Sequence, residues 1–281
     1  MEEYTHYGKQ ADVFKHLVLC EVLKNEMPTV YIDTNSASAV YQLKHTPEQD
    51  YGIYHFLQNA SANDKLQSSL YYKQESDAVL KGCYYGSPAL AMKVMRENAD
   101  KYHFFDLERK SLENIKAFAE DEHLDNRVIM QNCDSTKGVM DLLPTLPDAT
   151  FLHIDPYEID VKGIDGHTYF DLFVQATQLG MKCLLWYGFM TLDEQLGLDK
   201  YITSYLQIAD IRNVVSSKLI MNIIRKDNVA SNPGILGSGL LASNLSDKSN
   251  HQFHDFTRLL VDIYENSQYK AQDGSVYSVF K

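Results

Sequence analysis

Four short apolar runs, each closed by an aspartate and each set off by helix-like sequence, constrain this chain most. They are "TVYID" ending at Asp33, "KYHFFD" ending at Asp106, "RVIMQNCD" ending at Asp134 and "TFLHID" ending at Asp155. β-Branched and aromatic residues make each run a strand, and the segments between them carry helical spacing. Strands alternating with helices predict an α/β fold with a parallel, doubly wound sheet. Right-handed crossovers then bring the strand C-termini to one edge, where such folds bind ligands. Carboxylates gathered there suit a nucleoside-type ligand, whose ribose hydroxyls and adenine amine need acceptors.

The rest of the chain fits around that frame. Residues 11–24, "ADVFKHLVLCEVLK", read as an amphipathic helix. Residues 43–83 are polar and helix-like, which predicts an inserted helical subdomain dividing the sheet domain into 1–42 and 84–281. Helices are expected at 84–98 and 111–120, in "TKGVMDLLPTL", "YFDLFVQATQLG" and "LDEQLGLDKYITSYL", and finally in "HQFHDFTRLLVDIYEN". "MKCLLWYGF" reads as a buried strand. "ADIRNVVSSKL" and "IMNIIRK" read as two further strands, and "NPGILGSGLLASNL" as a glycine-rich hairpin region between or beside strands.

Composition narrows the classes. A hydrophobic content of 44% supports a real core in 281 residues. A formal net charge of −12 opposes broad, non-specific nucleic-acid binding, which relies on many cationic contacts to phosphate, while leaving room for a local basic patch. The first ten residues hold no apolar h-region, and no run approaches the roughly 18 residues of a membrane span. Cys20, Cys83, Cys133 and Cys183 are scattered without zinc spacing, so a reduced, cytosolic protein with no metal is expected.

"IDPYE" is the most informative motif. Methylating an adenine amine is hard because the N6 lone pair is delocalised into the ring. A carboxylate and a backbone carbonyl can accept both amino hydrogens, and a stacked aromatic ring can hold the base in line. Asp155, Pro156 and Tyr157 suit those roles, and equally suit an ordinary strand-ending turn. In "DTNSASAVY" small residues follow a strand, as in loops that let a ligand approach the backbone, or in a plain turn. "YYGSP" offers a helix N-terminus at Ser87, which attracts carboxylates or serves only as a cap. Lys15 and His16, taken alone, read as solvated helix surface.

In order, these pieces resemble the RlmJ family, the 23S ribosomal RNA adenine-N6 methyltransferases. "YTHYGKQADVFKH" is similar to the family's opening Tyr-x-His…Gly-Asn-x-Ala-Asp-Val-x-Lys-His, and "YIDTNSASAVYQL" to its Leu-Asp-Thr-His-Ala-Gly-Ala-Gly-x-Tyr-x-Leu. "YYGSPALA", "DLE", "NCDSTKG", "IDPYE", "LLWYGFM" and "GILGSGLLASN" follow in family order. The resemblance implies a Rossmann-like class I methyltransferase sheet with a small helical insertion and S-adenosylmethionine as cofactor. It also implies a cytosolic protein, expected as a monomer, whose partner is 23S ribosomal RNA stripped of proteins.

Carried over residue by residue, the resemblance assigns cofactor contacts to Lys15, His16, Asn35, Ser87, Asp106, Asp134 and Ser135. It assigns catalysis to Asp155 with Pro156 and Tyr157, and substrate contact to Tyr4 and His6. RNA would approach over a basic patch around Lys9 and Lys15. The chain departs from the family in places: Asn35 replaces histidine, Ala37 and Ala39 replace glycines, Asp106 replaces glutamate, and Asp-Pro-Pro-Tyr is shortened to Asp-Pro-Tyr. With one proline fewer, either Tyr157 moves forward to stack on the base or another ring, such as Tyr169, substitutes. The same departures fit a rival reading, a catalytically degenerate member that binds a nucleoside or protein partner without methyl transfer.

Overall fold

The chain enters with helix α1 (Gln10–Glu26) and strand β1 (Val30–Asp33). Strand β2 (Val40–Gln42) follows, then the helical turns α2 (Pro47–Gln49), a π-turn at Asp50–Tyr54, α3 (His55–Ala60), α4 (Asp64–Ser68) and α5 (Leu70–Leu80). Strand β3 (Cys83–Tyr85) returns antiparallel to β2. Next come α6 (Ser87–Val94), β4 (Lys101–Phe105), α7 (Arg109–Asp121), β5 (Val128–Gln131), α8 (Ser135–Leu142) and β6 (Thr150–Ile154). The chain continues through α9 (Tyr169–Gln178), β7 (Lys182–Phe189), α10 (Leu192–Ile208), β8 (Val214–Asn222), β9 (Gly237–Ser243), α11 (Asp247–Glu265) and β10 (Ser275–Phe280). This computed structural model describes residues 6–222, 236–265 and 275–280.

One eight-stranded sheet runs in the order β10-β8-β9-β7-β6-β1-β4-β5. The five strands from β7 to β5 are parallel, and β9 inserts antiparallel between β7 and β8. This is the Rossmann-like, doubly wound and mostly parallel α/β sheet that the sequence leads one to expect. The order reverses between β1 and β6, and a crevice opens at such a switch point beyond the strand ends.

Period-two alternation sorts the strand side chains between two cores. Tyr31, Phe151, Leu184 and Trp186 face the layer that holds α1, α6 and α11, while Val30, Ile32, Leu152, Ile154 and Leu185 face α8, α9 and α10. Helix α1 differs from its expected amphipathic form. It is buried from Gln10 to Leu23 because α5, α6 and α11 pack around it as well as the sheet. The helices after β2 are fastened to this layer, with Glu21 accepting from the Leu70 N–H at 2.6 Å and His55 Nε2 lying 2.9 Å from the Ile263 carbonyl.

Two strand expectations change. The stretch expected as two strands is one continuous β8, and the remainder of "IMNIIRK" lies outside the described residues. The glycine-rich stretch contains a buried central strand, β9. Gly239 is needed there because a Cβ would fall 2.3 Å from the Tyr187 ring of the neighbouring strand. The β2–β3 ribbon and β10 carry too little alternation to be read beforehand.

Candidate functional site

The alternation that sorts the cores also stacks polar groups beside α1. Asp33 and His153 share the face of Tyr31 and Phe151, and Asp155 continues that row one residue beyond β6. Asp33 is fully buried, and its Oδ2 accepts from Ser87 Oγ at 2.7 Å and Tyr31 OH at 3.0 Å and lies 3.2 Å from His153 Nδ1. Burial alone pushes this carboxyl up, but the His153 ring and the Ser87 and Tyr31 hydroxyls outweigh it and hold Asp33 below the usual range. The network ties β1 and β6 to the start of α6.

Asp155 has a different environment. Lys15 Nζ donates to its Oδ2 at 2.7 Å, while Oδ1 is buried and has no hydrogen-bond partner. Burial pushes the Asp155 carboxyl above the usual range, and Lys15 offsets only part of that rise. The same ammonium lies 3.1 Å from Asp12 Oδ1 and 4.9 Å above the Trp186 ring. Lys15 is therefore not part of a basic surface patch. Its side chain is buried at the heart of the site because α1 is covered on all sides.

A cavity of about 390 Å³ opens here, within the size range of small-molecule sites. It is lined by Lys15, His16, Asn35, Ser87, Asp106 and the Asp155–Tyr157 turn, so these expected site residues come together. Asp134 and Ser135 line an adjoining cavity of about 150 Å³, and Asn35 and Asp106 belong to both. Of the two expected substrate contacts, His6 is exposed, pairs with Glu48 at 3.0 Å and lines neither cavity. Tyr4 lies outside the described residues.

Several of these side chains are already engaged. His16 is buried with Nδ1 2.8 Å from Tyr84 OH, and burial holds its ring well below the usual imidazole range, so it is neutral. Asp134 caps α8 by accepting from the Thr136 N–H at 2.9 Å and also accepts from the Ile164 N–H at 3.3 Å. Asp106 accepts from the N–H groups of Ala37 at 2.8 Å and Glu108 at 2.6 Å, and burial still leaves its carboxyl raised. Ala37 adopts φ +48°, a left-handed conformation that a glycine would take without strain.

The rings also divide. Tyr169 accepts from Asn35 Nδ2 at 3.0 Å and lies 3.2 Å from Ser135 Oγ, so it braces the smaller cavity and is not among the residues lining the larger one. Tyr157 lines the larger cavity at 44% exposure, with its centroid 6.5 Å from that of Trp186 and the planes at 55°. Trp186 is the residue that sequence reasoning missed. Its alternation with Leu184 in "KCLLWYGF" was the available signal, since it put both on the α1 face. Among the described residues no group of three or more His, Cys, Asp or Glu could hold a metal ion, and no helix is long and apolar enough to cross a membrane.

No protein-family model matches the chain, and no curated protein matches its sequence. Solved structures do. Protein LPL1258 of Legionella pneumophila str. Philadelphia 1, assigned to family DUF519, is 19% identical, with 98% of each chain covered and a TM-score of 0.69. A SAM-dependent methyltransferase from Agrobacterium tumefaciens is 13% identical over 82% of this chain and 62% of its own, at a TM-score of 0.43. An rRNA methylase from Streptococcus thermophilus is 10% identical over 82% of this chain and 94% of its own, at 0.41. The likeness is one of fold.

Proposed function

We propose that this chain is an S-adenosylmethionine-dependent methyltransferase of RlmJ type, acting on the N6 amino group of an adenine in 23S ribosomal RNA. The observation that carries the reading is Asp155. It stands one residue past the central strand β6, beside a nucleotide-sized cavity, with one carboxylate oxygen buried and unpartnered and a proline carbonyl next in sequence.

The residues present suit the cofactor. Two joined cavities share Asp106, whose carboxylate fits ribose hydroxyls, and Ser135 lines the smaller one. Gly86 and Ser87 line the larger cavity at the start of α6, where a helix N-terminus favours a carboxylate such as that of methionine. When bound, S-adenosylmethionine supplies an electrophilic methyl group. The chain supplies the rest. Asp155 Oδ1 and the Pro156 carbonyl accept the two amino hydrogens of adenine, which concentrates the lone pair on N6. Tyr157 or Trp186 stacks on the base, and Lys15 and His16 line the floor of the cavity. The reading takes residues 43–83 as an inserted helical subdomain, the protein as a cytosolic monomer and protein-free rRNA as its partner.

The rival reading, nucleoside binding without transfer, draws on one observation: Ala37 occupies a left-handed position and its N–H is bound by Asp106. Labelled S-adenosylmethionine and unmodified, protein-free 23S rRNA separate the two. Label transfer by the wild type that is lost in Asp155→Ala supports the enzyme. Cofactor binding by calorimetry without transfer supports the rival, and no binding at millimolar cofactor sinks the proposal.

A further inference from the structure

The larger cavity does not end at the Asp155 turn. A second cavity of about 430 Å³ continues from it, and Tyr7, Tyr41, Glu108 and Ser111 line both. Tyr7 and Tyr41 form the sill between them, stacked at 4.5 Å and 21°. Two exposed lysines, Lys44 and Lys110, line the second cavity, and Lys9 lines the first. None of the three enters an ion pair among the described residues, although the neighbouring cations of α7, Arg109 and Lys116, pair with Glu113 and Glu120. The Lys44 backbone is held by its N–H, which donates to Gln49 Oε1 at 2.9 Å.

The other lip of the site has the opposite character. Beyond Tyr157 lies a cavity of about 390 Å³ lined by Glu158, Asp160 and Glu194, with no lysine or arginine in its wall among the described residues. Among the described residues the two walls differ in charge, with two lysines and Glu108 toward β2 and α7 and three carboxylates toward α10. A chain with a net charge of −12 repels phosphate in general, so a polyanion must follow a local route where ammonium groups lack carboxylate partners.

We infer that the trench floored by Tyr7 and Tyr41 and flanked by Lys44 and Lys110 holds the single-stranded RNA next to the target nucleotide. This rests on the function proposed above, because the direction is counted from an adenine seated at Asp155. Phosphates of the flanking nucleotides meet Lys44 and Lys110, and the strand leaves away from the acidic lip.

Fluorescence anisotropy with a single-stranded RNA oligomer of about ten nucleotides, a length within the usual single-strand site size, tests this. Lys44→Gln/Lys110→Gln should weaken oligomer binding and lower the slope of log affinity against log salt by about 0.7 per lost contact. Adenosine monophosphate affinity should not change. Lys73→Gln/Lys200→Gln, at exposed lysines elsewhere, should leave the slope intact. An unchanged slope in the trench variant, an equal loss in the control, or no oligomer binding by the wild type overturns the trench. A deoxy oligomer of the same sequence that binds more tightly overturns the assignment to RNA. Methyl transfer to 23S rRNA is measured separately, so the trench can fail while the proposed activity stands.

Discussion

Lys15 and Asp155, 140 residues apart in the chain, meet as a buried ion pair at 2.7 Å, and Asp12 holds the same ammonium at 3.1 Å. The first helix is thereby joined to the end of the central strand at the atoms proposed to act on the substrate. A buried pair adds little net stability over an apolar equivalent, yet removing one partner leaves the other charged and dry.

Lys15→Met is accordingly predicted to destabilise the fold by about 3–5 kcal/mol, read from urea unfolding at neutral pH. Lys15→Met/Asp155→Asn should recover part of that loss, because the stranded carboxylate is gone while Asp12 still carries its charge. A double variant as unstable as the single one would show that the lysine acts through packing on Trp186 instead.

The charge of Asp155 sets a pH dependence whose sign follows from its raised pKa. If Asp155 accepts the adenine amino hydrogens as proposed, transfer requires its carboxylate, so activity should rise with pH through a midpoint above the ordinary aspartate value of about 3.9. Stability runs the other way. The unfolded chain releases this proton at lower pH than the folded one, so ionising Asp155 costs stability as pH climbs from its unfolded to its folded value. Asp155→Asn should show no transfer at any pH, and its melting temperature relative to wild type should increase across the same interval. A parallel offset at all pH values would contradict the assignment.

Much of this site could be read from the sequence, and the reasons for the rest are physical. Asp33, Asp106, Asp134 and Asp155 mark themselves because apolar runs of period two and their closing acids are local signals. What each carboxylate binds is not local. Asp33 is satisfied by Ser87 and His153, 54 and 120 residues away, and Asp134 is engaged by its own helix cap and by Ile164. Lys15 reads as surface because one strip of sequence cannot reveal that α5, α6 and α11 cover every side of α1. Residues 237–243 read as a hairpin because the close approach of Tyr187, which demands a glycine, comes from another strand.

Ala37 offers a test of the family departures. At φ +48° an alanine carries roughly 1–2 kcal/mol of strain that glycine avoids, while glycine gains roughly 0.4–1 kcal/mol of freedom in the unfolded chain. Ala37→Gly should therefore raise stability by between about 0 and about 1.6 kcal/mol. Ala37→Val should lower it, because a β-branched residue tolerates this conformation poorly. Denaturant midpoints measured together on both variants decide it, and a destabilised glycine variant would refute the strain.

Which ring stacks on the base can be decided at Gly188. A Cβ there would lie 2.6 Å from Tyr157 Cε2 and 2.9 Å from its Cδ2, so Gly188→Ala must push the ring out of its present place. Tyr157 is partly exposed and free to swing toward solvent, which limits the expected stability loss to roughly 1 kcal/mol. The same Cβ would lie 3.3 Å from Trp186 Cη2, so that ring, nearly buried and held against Lys15, need give by only a few tenths of an ångström. If Tyr157 stacks on adenine, Gly188→Ala should weaken adenosine monophosphate binding roughly as much as Tyr157→Ala, about 1–3 kcal/mol per stacked base. Cofactor affinity, measured by calorimetry on the same samples, should be unchanged in both. Undiminished nucleotide binding in both variants would transfer the stacking role to Trp186, and Trp186→Leu should then show the loss instead.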